Sequence, residues 1–237
     1  MVESKIILNK PNIKIYKILE RTGILLKVYK SGKIPKILKI IPLFKNFEDI
    51  IWFTRPDRWT FQALFVVSKV FSRNLNNSQL KRFYSLIILP RLQECILKNE
   101  KISSHIHLII RLARLDTKTF FSSILLPLFT SLSCTKKEAV VFSIIIMKIS
   151  VQPKHIAWTL IQLLKTSQNS SKYIIIRVIL SKNYNFSYRI MDNLVDYFVK
   201  NQEKINNVYF LKCYITFLEK YYQFLSLEDK NRLPNLL

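Results

Sequence analysis

Two pairs of residues in this chain have types and spacing that could do chemistry: His105 with His107, and Asp192 with Asp196. Imidazoles can hold a divalent ion or move a proton. On a helix, however, residues two apart point in different directions, and no Cys or carboxylate stands at ligand spacing around the histidines. The aspartates would sit one helical turn apart, where they could share a cation or a proton, although like charges so placed are ordinarily a solvated face. No serine has the strained strand-to-helix turn of a nucleophile elbow around it. Gly23 and Gly32 are the only glycines, so no phosphate-cradling loop follows residue 32, and P-loop, dinucleotide-binding and kinase chemistry drop out. We expect no enzyme activity, no catalytic residue, no metal and no cofactor.

Anion binding is the chemistry that remains. The chain has 38 Lys and Arg against 15 Asp and Glu, a formal charge of +23. A compact fold with that charge repels itself unless it faces a polyanion, so nucleic acid is the first partner to consider and an anionic membrane surface the second. Plentiful Ile, Lys and Asn offer compositional drift as another source of the basic excess. Lys33, Lys36 and Lys39 recur every third residue within 31–42, a stretch in which Pro35 and Pro42 forbid one long helix. On a short helix their ammonium groups would line one side, either as a phosphate-facing stripe or as a solvated face. Arg82, Arg91 and Arg189 stand at polar positions beside apolar words, and an arginine can fork onto phosphate. For Arg82 and Arg91 the structural alternative is pairing with Glu94 or capping helix carbonyls.

The scaffold for these residues is read as helical throughout. Half-apolar composition over 237 residues supports one large or two small cores. Cys95, Cys134 and Cys213 are odd in number and widely spaced, which fits a reducing compartment. The apolar run near Met1 is too short for a signal peptide to be expected, and the longest uncharged stretch, 119–135, falls short of a bilayer span and contains Pro127, so a soluble protein with no membrane partner is expected.

The organising stretch is 117–164, three apolar helices predicted over 117–133, 136–150 and 153–164. Thr135 with Glu138 three residues on forms a capping box, and Pro153 suits a first helical turn. The middle helix is apolar on nearly every face, which places it at the centre of the domain with Val140, Phe142, Ile145 and Ile146 among the most buried positions. Further helices are predicted over 47–54, 56–74, 77–100 (capped by Asn77, interrupted at Pro90), 103–115, 171–181, 187–200 and 206–225, with a last one opened by Ser226. Trp52 and Trp59 are read as core. Residues 1–30 form a basic segment with two helical stretches broken near Gly23, and 31–237 form the main domain. Runs of Ile would suit strands, but two glycines are too few for the turns of a β or mixed domain.

Residues 83–92 and 120–129 align without gaps at an offset of 37, Pro90 falling on Pro127. That period suits a helical hairpin, and hairpins that cannot bury their apolar faces alone stack. The fold class expected is all-α, a HEAT-like helical-hairpin solenoid, with each proline bending or ending its helix.

The words of the sequence then carry a likeness: residues 31–36 with 39–42, Trp59-Thr60, Arg82 to Tyr84, Leu89 to Arg91, Leu126 to Leu128, Cys134 to Ala139, Arg177, Lys182 with Tyr184, Tyr188-Arg189, and Thr216-Phe217. In these, in order and spacing from about Tyr29 to the end, the chain resembles the bystins, assembly factors of the small ribosomal subunit. Bystins usually carry a long, charged N-terminal extension, whereas here the likeness begins almost at Met1, so a shortened member is expected; Ser187 and Ser181 also stand where proline and aspartate are usual. The resemblance implies an α-helical, HEAT-like solenoid that acts without catalysis on precursor small subunits, is needed for maturation of small-subunit rRNA, and is present in nucleolus and nucleus and onward to the cytoplasm. The partners it implies are small-subunit precursor rRNA, small-subunit ribosomal proteins and other assembly factors, with no small-molecule substrate. On the residues alone, a helical-repeat scaffold gripping peptides or proteins without RNA contact stays open.

Overall fold

The computed structural model describes residues 13–44, 46–97, 102–130, 134–166 and 169–234. Residues 131–133, the expected end of one helix, and the side chain of His105 lie outside the described residues. The helices are α1 (Ile13–Val28), α2 (Ile37–Ile40), α3 (Phe47–Trp52), α4 (Phe61–Asn74), α5 (Asn77–Phe83), α6 (Leu89–Leu97), α7 (Ile102–Leu115) and α8 (Thr117–Phe120). They continue as α9 (Leu126–Thr130), α10 (Lys136–Lys148), α11 (Pro153–Lys165), α12 (Ser170–Ser181), α13 (Tyr188–Lys200), α14 (Val208–Tyr221) and α15 (Leu227–Arg232). Among the described residues there is no strand, as the scarcity of glycine requires. The chain divides into two compact units, Met1–Ile124 and Leu125–Leu237.

In the first unit α1 runs unbroken through Gly23, where a break was expected. A Cβ at Gly23 would lie 2.4 Å from the Thr54 carbonyl oxygen, so the missing side chain serves close helix-to-backbone approach rather than a turn. The same carbonyl accepts from Trp59 Nε1 at 3.0 Å, and the Trp59 ring is buried. Trp52, expected in the core, is 48% exposed instead. Phe71 joins α3 to α5 through ring contacts with Phe47 (6.5 Å) and Phe83 (4.9 Å), and α4 packs along α7. The cap of α5 is Asn76, one residue before the expected Asn77, in a reciprocal pair with Gln79.

Between α5 and α6 the chain makes a π-helical turn, Tyr84–Ile88, and between α8 and α9 another, Phe121–Leu125. Each is five residues long and each is followed by a helix whose second residue is a proline, Pro90 or Pro127. The prolines therefore occupy the same local place, but neither ends its helix. A proline cannot donate to the carbonyl four residues back, and the wider turn just before it lets the helix continue past the missing bond. Ser85 Oγ donates to Ser123 O at 3.2 Å, tying the first π turn to the second.

In the second unit, α10, α12 and α14 lie side by side, while α11 packs on α13 and α13 on α15. The capping box opening α10 is present: Glu138 N–H donates to Thr135 Oγ1 at 3.2 Å, and Thr135 N–H donates to Glu138 Oε2 at 2.7 Å. Pro153 opens α11 and Ser226 caps α15. Phe142, Ile145 and Ile146 are buried as expected, but Val140 is 48% exposed, and Ile144 and Met147 beside it are exposed too. An apolar residue on every face says that several sides can be covered; it does not say that all are. Further along, Phe198 is fully buried against Phe210, Tyr214 and Phe217 at 5.7, 5.1 and 5.0 Å between ring centroids.

Candidate nucleic-acid interface

Lys33, Lys36 and Lys39 lie on the connection from α1 through α2, and all three are exposed. They do not share one helix. Lys33 is in non-helical chain, Lys36 caps α2, and Lys39 sits in its single turn, whose Leu38 is buried. Lys36 and Lys39 alone are related by the helical spacing the sequence offered, because Pro35 delays the helix until after Lys33. The connection is anchored at its start: Tyr29 Oη donates to Gly32 O at 2.7 Å, Gly32 takes a φ of 109°, and Thr60 Oγ1 donates to Tyr29 O at 2.6 Å. Three ammonium groups are thus presented to solvent from an anchored loop, a form that suits phosphate as a point-charge partner.

The arginines divide. Arg82 Nε reaches Glu48 Oε1 of α3 at 2.8 Å, yet two-thirds of its side chain stays exposed. A surface pair of that kind contributes at most about 1 kcal/mol and leaves the guanidinium available. Arg91 is turned inward. Its Nη1 meets Glu94 Oε2 at 2.5 Å, its Nη2 donates to Trp59 O at 3.1 Å, and its guanidinium lies 5.9 Å from the Phe61 ring centroid, with only 19% of the side chain exposed. The pairing with Glu94 raised as an alternative for Arg91 is therefore present. Arg189 belongs to the second unit and is exposed on the first turn of α13.

Most of the perturbed ionisable groups are shifted by burial, whereas exposed Arg232 is raised by its hydrogen bond and charge pairing with Asp196. Burial raises the Cys134 thiol to about 12 and pushes the Cys213 thiol up further, so neither is poised as a nucleophile. Lys172 is buried, donates to Thr166 O at 2.8 Å, and is lowered to about 8 by desolvation, with Lys204 adding to the effect. Asp196, half of the aspartate pair, accepts from Arg232 Nη2 at 2.5 Å and so joins α13 to α15. Among the described residues no group of His, Cys, Asp and Glu gathers as metal ligands, and no helix is long and apolar enough to cross a membrane.

Two surface features of the second unit escaped sequence reasoning. Tyr184, Phe186, Tyr188, Tyr221 and Phe224 line a cleft of about 560 Å³, with Tyr188 84% exposed. Its signal in the sequence is the density of aromatics in 184–188 and 221–224. The other is an apolar groove of about 520 Å³ beside α10, which contains Val140, Ile144 and Met147.

These observations define a class: an all-helical, strongly basic protein of two compact units that presents exposed cations to solvent. The family follows from comparison. Residues 3–237 match the bystin family, and the chain belongs to it. It is 31% identical to bystin of Nematostella vectensis over 94% of this chain and 52% of that one, and 32% identical to bystin of Dictyostelium discoideum over 97% and 49%. With human bystin it shares 31% identity over 90% of this chain and 49% of the other. The chain spans about half the length of the curated relatives it matches.

Proposed function

We propose that the chain is a non-catalytic assembly factor that binds precursor small ribosomal subunits and is required for maturation of small-subunit rRNA, acting in nucleolus and nucleus and following the particle to the cytoplasm. Its partners in this reading are precursor rRNA, small-subunit ribosomal proteins and other assembly factors. The observation that carries the reading is the surplus of 38 Lys and Arg over 15 Asp and Glu in a member of the bystin family. Lys33, Lys36, Lys39, Arg82 and Arg189 keep exposed charge for phosphate, whereas Arg91 is held by its neighbours in the fold.

For the architecture we propose a HEAT-like solenoid. Side-chain hydrogen bonds join chain neighbours about one hairpin apart: Thr60 to Tyr29, Ser85 to Ser123, Ser171 to Cys134, Arg177 to Thr216 and Tyr221 to Leu180 span 31, 38, 37, 39 and 41 residues. Contacts that repeat at one hairpin's length are what stacked repeats produce. The test of function is ultraviolet crosslinking of the protein in cells, followed by sequencing of the attached RNA. The reading expects crosslinks concentrated in small-subunit precursor rRNA, and crosslinks spread over unrelated RNAs would overturn it. A protein-partner reading has its own observation, the groove beside α10.

A further inference from the structure

Val140, Ile144 and Met147 recur at one-turn spacing along a single face of α10, and they are 48, 40 and 61% exposed. Ile174 and Val178 of α12 and Tyr209 of α14 complete the apolar lining of a groove of about 520 Å³. The ridges on such a face, four and three residues apart, are spaced to take the side chains of another helix.

The rim selects the occupant. Arg177 and Lys212 are among the lining residues and no carboxylate is among those described. Lys136 adds a third cation, its ammonium 4.9 Å from the centroid of the Tyr209 ring. A second copy of this chain would bring like charge to like charge. RNA would find an aliphatic floor with few donors, and the one aromatic ring there already faces a lysine. A helix with an apolar stripe and carboxylates beside it meets both the floor and the rim.

We infer that this groove docks an acidic amphipathic helix of a protein partner, with apolar anchors at i, i+4 and i+7 and Asp or Glu flanking them. The site is independent of the proposed RNA contacts and lies entirely within the second unit.

The test uses the full chain and two labelled synthetic helices, one with Leu at the anchor positions and Glu on the flanks, the other identical except for Lys in place of Glu, with binding read by fluorescence anisotropy. The Glu helix binds saturably and the Lys helix roughly tenfold or more weaker. Met147→Glu, at a position exposed to solvent, weakens the Glu helix roughly tenfold, and Val140→Asp does so independently. Lys136→Glu with Lys212→Glu reverses the preference between the two peptides. Absence of saturable binding, equal affinity for both helices, or indifference to Met147→Glu overturns the inference. So does a Met147→Glu protein that loses affinity for an RNA oligonucleotide instead of the peptide, since the groove would then belong to the RNA surface.

Discussion

The ammonium of Lys182 donates to the carbonyls of Ile146 and Ile149 and so closes the C-terminus of a helix 36 residues earlier in the chain. The last carbonyls of a helix lack intrahelical donors, and a cation there also meets the negative end of the helix dipole. Its neighbour Tyr184 lies 5.7 Å from the same ammonium. Replacing Lys182 by Met keeps the aliphatic stem and removes the donor. We expect a loss of about 1–3 kcal/mol in unfolding free energy, measured by urea denaturation. No change in midpoint would show that the contact is incidental.

Gly23→Ala reverses the ordinary sign of its substitution. In an open helix alanine is favoured over glycine by about 1 kcal/mol. Here the new methyl would stand 2.4 Å from Thr54 O, a backbone atom also held by Trp59 Nε1. A loss of about 1–3 kcal/mol is expected from overpacking, and a thermal melt shifted upward would contradict the close approach.

Arg91 and Arg82 separate structure from binding. Arg91→Ala removes the contacts to Glu94, Trp59 O and the Phe61 ring, and a destabilisation of about 1–3 kcal/mol follows. Arg82→Ala breaks an exposed pair with Glu48 and changes stability by less than about 1 kcal/mol. Parallel denaturation of the two variants checks the order; equal losses would refute it.

Lys172 supplies a pH dependence. Burial first, and Lys204 second, lower it to about 8 from an ordinary 10.5. Between those values the unfolded chain holds a proton that the folded chain has released, so this group's contribution to stability rises with pH across that window and is lost as pH falls through about 8. Lys172→Met has no such group. The urea midpoint of the natural protein should therefore gain on that of the variant between about pH 8 and about pH 10. A constant difference would mean that Lys172 stays protonated throughout.

Local chemistry made much of the fold legible. Thr135 and Glu138, Pro153, and Ser226 with Asp229 mark helix starts through groups within three residues of one another, and the 37-residue echo needs only the chain itself. What escaped depends on partners far along the chain. Gly23 reads as a break until Thr54 is seen against it, and Arg91 reads either as a phosphate-facing cation or as the partner of Glu94 until Trp59 O is seen to accept from it, 32 residues away. Helix α10 hides its orientation because apolar residues on all sides erase the periodic contrast that tells a buried face from an open one. The candidate cations were legible as residues, whereas their exposure and the inward turn of Arg91 were set by packing.

The central claim is that exposed cations of this chain meet RNA phosphates, and it is tested most directly on Lys33, Lys36 and Lys39, which are exposed on an anchored loop. Affinity of the natural protein and of the variant with all three replaced by Gln is measured for a small-subunit rRNA fragment across a series of salt concentrations. Each phosphate contact removed lowers the slope of log affinity against log salt by roughly 0.7–0.9 and weakens every RNA sequence alike. The account predicts a shallower slope and weaker binding for the triple variant, with an unchanged melting temperature. Unchanged affinity and unchanged slope would contradict it and leave the three lysines as a solvated face.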